Sequence, residues 1–301
     1  MTPSPSRPMR NRRARVLVVG LGEVGQRVVQ RMNPRVRVLA TTSQPERVAA
    51  LRAMGVTPLV INLDQPGACQ RLAGLSERAL VLVPPPAQGV ADTRSAALVA
   101  AWRRGPPCAK VVYVSTTGVY GNCQGAWVDE TRAVAPATPR AHRRVNAEQQ
   151  VRAFGRATGT PWVVLRVPGI YALDRPGGSP AARLQRGTPV LQASDDGYTN
   201  HIHATDLARA CWRATWQPLG WRTLNVCDDS SWRMGEYFDH AATVLSLPRP
   251  PRVTWAEAEQ TLPEAMLSFM RESRRLRNTR LKRELKLSLR YPTPLEGLRA
   301  P

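Results

Sequence analysis

Val16-Leu17-Val18-Val19-Gly20-Leu21-Gly22-Glu23-Val24-Gly25 is an apolar run of strand length that ends in Gly-x-Gly-x-x-Gly. A helical pattern follows over residues 23–32 and a second apolar run over 35–40. Together they make one strand–turn–helix–strand unit, the context in which this glycine spacing carries a meaning. Gly20 is expected to allow the tight turn out of the strand. Gly22 is expected to let backbone approach a pyrophosphate, and Gly25 to let the helix pack on the sheet. The N–H groups that open the helix, around Glu23 and Val24, would face the phosphates with the positive end of the helix dipole. The stretch therefore predicts a dinucleotide site.

The same alternation continues outward. Apolar runs at 59–61, 79–83, 110–115 and 162–166 are separated by helical patterns at 45–54, 90–103 and 139–158. Strands spaced by helices, without hairpin signals, imply a parallel sheet covered on both faces. The expected fold is α/β: a Rossmann-type doubly wound parallel sheet over residues 14–167. A smaller α/β substrate-binding region follows over 168–301 and can interleave with the first. That second half is loop-rich over 169–197. It then reads as helix over 204–216, strand over 223–226, helix over 235–245, and a long basic helical segment over 264–286. Residues 1–13, rich in Pro, Ser and Arg, read as a disordered basic tail without the apolar core of a signal peptide.

Adenosine ribose specificity is read after the second strand, where NAD-binding domains usually carry a carboxylate. Here Ala40 is followed by Thr41, Thr42 and Ser43, with Arg47 beyond and no acid at the strand end. This leans toward NADP over NAD. Asn62 and Leu63 after the third strand, and Pro84 after the fourth, complete the expected cofactor wall. Pro84 opens a Pro-Pro-Pro run without N–H donors.

Composition narrows the remaining classes. The five cysteines, Cys69, Cys108, Cys123, Cys211 and Cys227, are scattered without a CxxC, which argues against a disulfide framework or structural zinc. No metal site is expected. No stretch approaches the roughly 20 apolar residues of a membrane helix, so a cytoplasmic protein with no membrane partner is expected. The net charge of +21 could attract polyanions, yet Lys110, Lys282 and Lys286 are the only lysines and no nucleic-acid-reading motif is present. A specific nucleic-acid partner is not expected. A small-molecule substrate and a homodimer are.

From the fifth strand onward the chain resembles the extended, here atypical, short-chain dehydrogenase/reductase superfamily, in its NAD-dependent epimerase/dehydratase group. The resemblance rests on Val112-Tyr-Val-Ser115-Thr116-Thr117-Gly-Val-Tyr120-Gly121, Asp129-Glu130-Thr131 and Val164-Leu-Arg166-Val-Pro168-Gly-Ile-Tyr171. It continues through Asn200-His-Ile-His203-Ala-Thr-Asp206, Leu224-Asn225-Val226 and Asn278-Thr-Arg-Leu281. It implies hydride transfer between a nicotinamide and a small sugar-like or carbonyl substrate. A Ser or Thr holds the reacting oxygen, a Tyr exchanges the proton, and a Lys four residues later tunes that Tyr. Thr116 matches the hydroxyl residue, and Glu148 resembles the helix glutamate. Counting back from Glu148 puts Arg140 where the Tyr should stand and Arg144 where the Lys should stand. Arginine stays protonated at any useful pH and cannot replace the phenol. Arg144 and Pro168 remain expected cofactor contacts, and the proton would have to come from Tyr120 or from water. Three readings stay open: a nonstandard oxidoreductase or epimerase, a catalytically degenerate NAD(P)-binding redox sensor or regulator, and a nucleic-acid-associated protein suggested only by charge.

Overall fold

The computed structural model describes residues 13–299 except 33 and 107. The expected tail over 1–13 therefore falls, but for Arg13, outside the described residues. In the first half, strands β1 (Arg15–Val19), β2 (Arg37–Thr42), β3 (Thr57–Val60), β4 (Arg78–Val81) and β5 (Lys110–Thr116) alternate with helices α1 (Glu23–Val29), α2 (Val48–Ala53) and α3 (Thr93–Arg104). The short β6 (Trp127–Val128), the long helix α4 (Pro139–Thr158) and β7 (Trp162–Val167) follow.

The second half runs β8 (Gly169–Tyr171), α5 (Ala181–Gln185), β9 (Val190–Leu191), β10 (His201–His203), α6 (Ala204–Trp216) and β11 (Arg222–Asn225). It ends with α7 (Met234–Leu245), β12 (Arg252–Val253), α8 (Trp255–Thr261), α9 (Glu264–Met270), β13 (Arg275–Leu276), α10 (Thr279–Arg283) and α11 (Pro294–Gly297).

Seven strands form one parallel sheet in the order β11-β7-β5-β4-β1-β2-β3. This is the doubly wound Rossmann-type arrangement, with the order reversing beside β1. Alternation along β1 sends Leu17 and Val19 to a core with Trp102 of α3 and Phe154 of α4, and Val16 and Val18 to a core with Val29 of α1 and Leu51 of α2. Parallel strands buried on both faces read as unbroken apolar runs, which is why β1 was legible. The second half does interleave: β11 extends the main sheet beside β7, and Leu207, Ala208 and Cys211 of α6 share a core with Val28, Val112 and Val163. The chain shares one core across the expected boundary at Val167.

Helix α4 shows how local sequence sets the frame. The Thr138 hydroxyl caps its N-terminus by accepting from the Ala141 N–H at 3.2 Å, and Pro139 takes a first-turn position. Gly159, at φ +71°, ends it in the left-handed region. The helix buries Ala147, Val151, Phe154 and two charged residues, Arg143 and Glu148. The Glu148 carboxylate accepts from the Ser115 hydroxyl at 2.7 Å, from Arg166 at 3.1 and 2.8 Å, and from Arg152 at 2.9 Å.

One expected element is corrected. The basic stretch over 264–286 is not a continuous helix. It breaks after Met270 into the extended segment that carries β13, then re-forms as α10. The Asn200 side chain fixes the break, donating to the Arg274 carbonyl at 2.9 Å and accepting from the Leu276 N–H at 3.0 Å, while β13 pairs with β6. Tertiary hydrogen bonds override a helical propensity that rested on arginines.

Glu148 and Arg166 have side chains only 2% and 3% exposed. Removing one charge strands the other in a dry environment, at a cost of about 3–5 kcal/mol. Glu148→Gln is therefore expected to lower the unfolding free energy by about that amount in urea titrations. A loss close to that of an exposed substitution such as Glu236→Gln would show that the pair does not hold α4 to the sheet.

Candidate functional site

In a parallel sheet all loops that follow the strands lie at one edge, and ligands bind there where the strand order reverses. The loops after β1, β2, β3, β4 and β5 meet at that edge. Gly20 has φ +87°, and a Cβ there would lie 2.8 Å from the Val83 backbone. A Cβ on Gly25 would press on Leu21 at 2.9 Å and Leu82 at 3.2 Å. A Cβ on Gly22 would meet nothing within 4 Å. The first glycine is thus required by its left-handed φ and by the Val83 backbone, the third is seated against leucine side chains, and the second leaves backbone facing open space. Gly22 also caps α1 without any side-chain hydrogen bond. The residues present fit a dinucleotide pyrophosphate.

The ribose-reading residues separate by environment. Thr41 is buried, and its hydroxyl accepts from the Gly20 N–H at 2.9 Å, so it shapes the glycine turn. Thr42 is buried too, and its hydroxyl accepts from the Gln44 N–H at 3.1 Å. Ser43 is exposed. Arg47 reaches across the loop and donates to the Leu21 carbonyl at 2.8 Å. Of the four, Ser43 and Arg47 are available to a ligand. Asn62 accepts from the Asp64 N–H at 3.0 Å in its own turn, and Leu63 packs against the core. Pro84 receives a bond from Arg94 at 2.9 Å, and Arg94 in turn pairs with Asp64, tying the two loops together. Glu23 pairs with Arg27, and with Arg175 at 3.1 Å, so the loop after β8 reaches the glycine turn.

Beyond β5 lies a cleft of about 770 Å³ between the sheet edge and the second half. Thr116, Arg140, Arg144 and Pro168, all singled out from sequence, line it. Thr116 ends β5, and its hydroxyl accepts from the Gly118 N–H at 3.3 Å. Arg140 and Arg144 are one helical turn apart on α4. Arg140 lies 4.7 Å over the Phe269 ring, and Arg144 donates to the Tyr113 hydroxyl at 3.0 Å and the Val114 carbonyl at 2.9 Å. Burial pushes the Tyr113 phenol up to about 12, so it stays protonated.

Tyr120 is a correction. It is 1% exposed, its hydroxyl donates to Asn225 at 2.8 Å, and Arg166 lies 4.7 Å over its ring. Burial raises its pKa. It holds the core together and does not line the cleft. The sequence reading missed Glu272 and Arg274, which pair at 2.8 Å and line the cleft from the extended segment before β13. Glu272 is the one carboxylate among the described lining residues. A side chain on Gly118 would sit 3.6 Å from the Thr116 hydroxyl and 3.8 Å from Glu272 Oε2, so Gly118 is the floor between them. Reading 264–286 as helix hid both residues.

His201 and His203 are buried on β10 and do not form a metal site; among the described residues no cluster of His, Cys, Asp and Glu could hold a metal. All five cysteines are free and buried. No described helix is long and apolar enough to cross a membrane.

The family model for the NAD-dependent epimerase/dehydratase family matches residues 16–227. The chain belongs to this family. It is 30% identical to a conserved protein of unknown function from Silicibacter pomeroyi, with a TM-score of 0.77 over 95% of this chain and 96% of that one. It shares the fold of UDP-glucose 4-epimerase from Thermotoga maritima, solved with UDP-glucose, at 19% identity, TM-score 0.75 and coverage of 95% and 96%. It also shares that of human epimerase family protein SDR39U1, solved with NADPH, at 18% identity, TM-score 0.73 and coverage of 95% and 98%. A search of curated proteins finds no match.

Burial pushes His201 down to about 3 and His203 to about 4, from 6.5. Both are lowered on folding, so their stabilisation is complete above pH 6.5 and is lost as pH falls toward 4. Between those limits each is expected to add up to about 1.4 kcal/mol per pH unit to the loss. His203→Gln should flatten the slope of unfolding free energy against pH in that window. An unchanged slope would mean that the ring titrates freely in the fold.

Proposed function

We propose that the chain is an NAD(P)-dependent oxidoreductase or epimerase-like enzyme that acts on a small polar, sugar-like or carbonyl substrate held in the cleft. The observation that carries this reading is the open face at Gly22 beside packed Gly20 and Gly25, on the same sheet edge as Thr116 and the cleft. The NADPH of the human neighbour and the UDP-glucose of the Thermotoga maritima neighbour support cofactor and substrate class. When bound, the nicotinamide supplies the hydride donor or acceptor.

The backbone around Gly22, Glu23, Val24 and Gly25 holds the pyrophosphate. Ser43 and Arg47 favour a 2′-phosphate, hence NADP over NAD. Arg144 and Pro168 border the nicotinamide end. Thr116 holds the reacting oxygen of the substrate, and Glu272 beside it exchanges the proton, because Arg140 and Arg144 keep theirs. A second reading, a redox sensor or regulator that binds the dinucleotide without turnover, draws on the arginines that stand at the family's Tyr and Lys positions.

Binding and chemistry are tested separately. Gly22→Val meets open space in the protein alone, so it should leave thermal stability nearly unchanged while NADPH binding, followed by nicotinamide fluorescence, weakens at least about a hundredfold. The wild type should bind NADPH more tightly than NADH, and Arg47→Ala should erase the difference. Failure to bind either dinucleotide would end the proposal.

For the chemistry, Thr116→Val and Glu272→Gln should each lower turnover of any substrate found in a screen of sugars, ketones and aldehydes by about 100-fold or more. Turnover untouched by both would displace them from the site. Tight dinucleotide binding with no turnover across the screen would favour the sensor.

A further inference from the structure

Among the described residues five arginines line the cleft, Arg140, Arg144, Arg175, Arg183 and Arg274, against the single carboxylate of Glu272. Glu272 neutralises Arg274, and Glu23 neutralises Arg175. Arg140 and Arg144 sit at the Thr116 end. Arg183 stands apart, next to α7. Its Nη2 donates to the Pro189 carbonyl at 3.0 Å, its guanidinium lies 4.3 Å over Phe238, and its Nε has no hydrogen-bond partner. Asp196 exerts some attraction on Arg183, but its carboxylate accepts from the Gly235 N–H and also faces Arg233 and Arg252. Burial holds Arg183 down to about 10, so it is charged at neutral pH.

Two aromatic groups share that stretch of the cleft wall. His201 is 8% exposed, its Nδ1 has no partner, and its ring stacks on Tyr237 at 3.9 Å. With its pKa pushed down to about 3, the imidazole is neutral and brings a hydrogen-bonding group without charge. Tyr237 lines the cleft with it. A half-buried guanidinium without a carboxylate, lining one cleft with a buried imidazole nitrogen without a partner, is unfavourable in the protein alone and is relieved by an anionic ligand.

We infer that the Arg183 end of the cleft, with His201 and Tyr237, is a subsite for a carboxylate group carried by the substrate. One unpaired cation matches one negative charge. A phosphate dianion concentrates two charges on one group, whereas each carboxylate of an acid brings one. Arg183 Nη1, against the Met234 sulfur at 3.9 Å, and Nη2, on the Pro189 carbonyl, each keep a second N–H for a carboxylate. The substrate is then a small acid whose hydroxyl or carbonyl carbon lies toward Thr116. This rests on reading the cleft as the substrate site.

The test is calorimetric titration of the full chain, with and without NADPH, using succinate, its neutral analogue succinamide, and inorganic phosphate. Succinate is expected to bind in the presence of NADPH, at least about tenfold more tightly than succinamide and more tightly than phosphate. Arg183→Gln should weaken succinate about tenfold or more and leave NADPH binding unchanged. The succinate–succinamide contrast on the wild type decides the point even if that variant misfolds.

Equal binding of the two analogues, no binding of succinate, preference for phosphate, or binding abolished by NADPH would each overturn the subsite. NADPH binding without succinate binding would sink the subsite alone. Succinate binding without binding of either dinucleotide would sink the cofactor reading alone.

Discussion

A charge buried where water cannot reach must be met by partners of fixed geometry, and Glu148 imposes that constraint here. Its two oxygens take hydrogen bonds from β5 through Ser115, from β7 through Arg166 and from its own helix through Arg152. A slip of α4 along the sheet would leave at least one ion unpaired, which is far costlier than a lost apolar contact. Thr116 follows Ser115 directly, and Arg144 lies one turn before Glu148. The network thus sets the register of the residues that line the cleft, although none of its own charges enters it. Arg166 extends it through the Tyr120 ring to Asn225, whose N–H donates to Glu130 at 2.8 Å. β11, from the second half, is locked to the same frame.

What could be read from sequence follows from which constraints are local. A strand buried on both faces must be apolar along its whole length, and a glycine at positive φ whose Cβ would meet the Val83 backbone must lack a side chain. Those demands are written at the positions that bear them, so β1, the glycine turn and most of the sheet were legible. Thr116, Arg140 and Arg144 were legible because their element and spacing were. The roles of Tyr120, Thr41 and Thr42 were not, because each depends on a partner elsewhere: Asn225 for Tyr120, the Gly20 N–H for Thr41. Glu272 and Arg274 escaped for a related reason. An arginine-rich stretch has the same composition whether it faces solvent on a helix or crosses a cleft in extended form, and the side chain of Asn200 decides between the two.

The charge of +21 acquires a different meaning once partners are known. Many arginines act as packing groups with a polar rim. Arg152 lies 5.3 Å over Trp162, Arg166 4.7 Å over Tyr120 and Arg275 5.1 Å over Trp127. Guanidinium is weakly hydrated and flat, so it covers aromatic surface at little desolvation cost, which lysine cannot do as well. The excess charge is therefore partly a by-product of how this chain builds its interior. It becomes informative about ligands only where an arginine faces a cavity without a carboxylate of its own, as Arg183 does.

The arginine pair on α4 also changes what the rest of the site must supply. A phenol with a neighbouring ammonium can pass a proton because its pKa is movable; two guanidinium groups cannot, since their protons are held at any working pH. They can polarise an oxygen and hold an anionic or electron-rich group, but in the proposed reaction the step that gains or loses a proton falls to another group. At the Thr116 end of the cleft the described side chain suited to it is a carboxylate from the far end of the chain, Glu272, flanked by Arg140 and bound by Arg274. The extended segment before β13, fixed by Asn200, then does more than close the fold: it carries the carboxylate to which the proposed reaction assigns the proton.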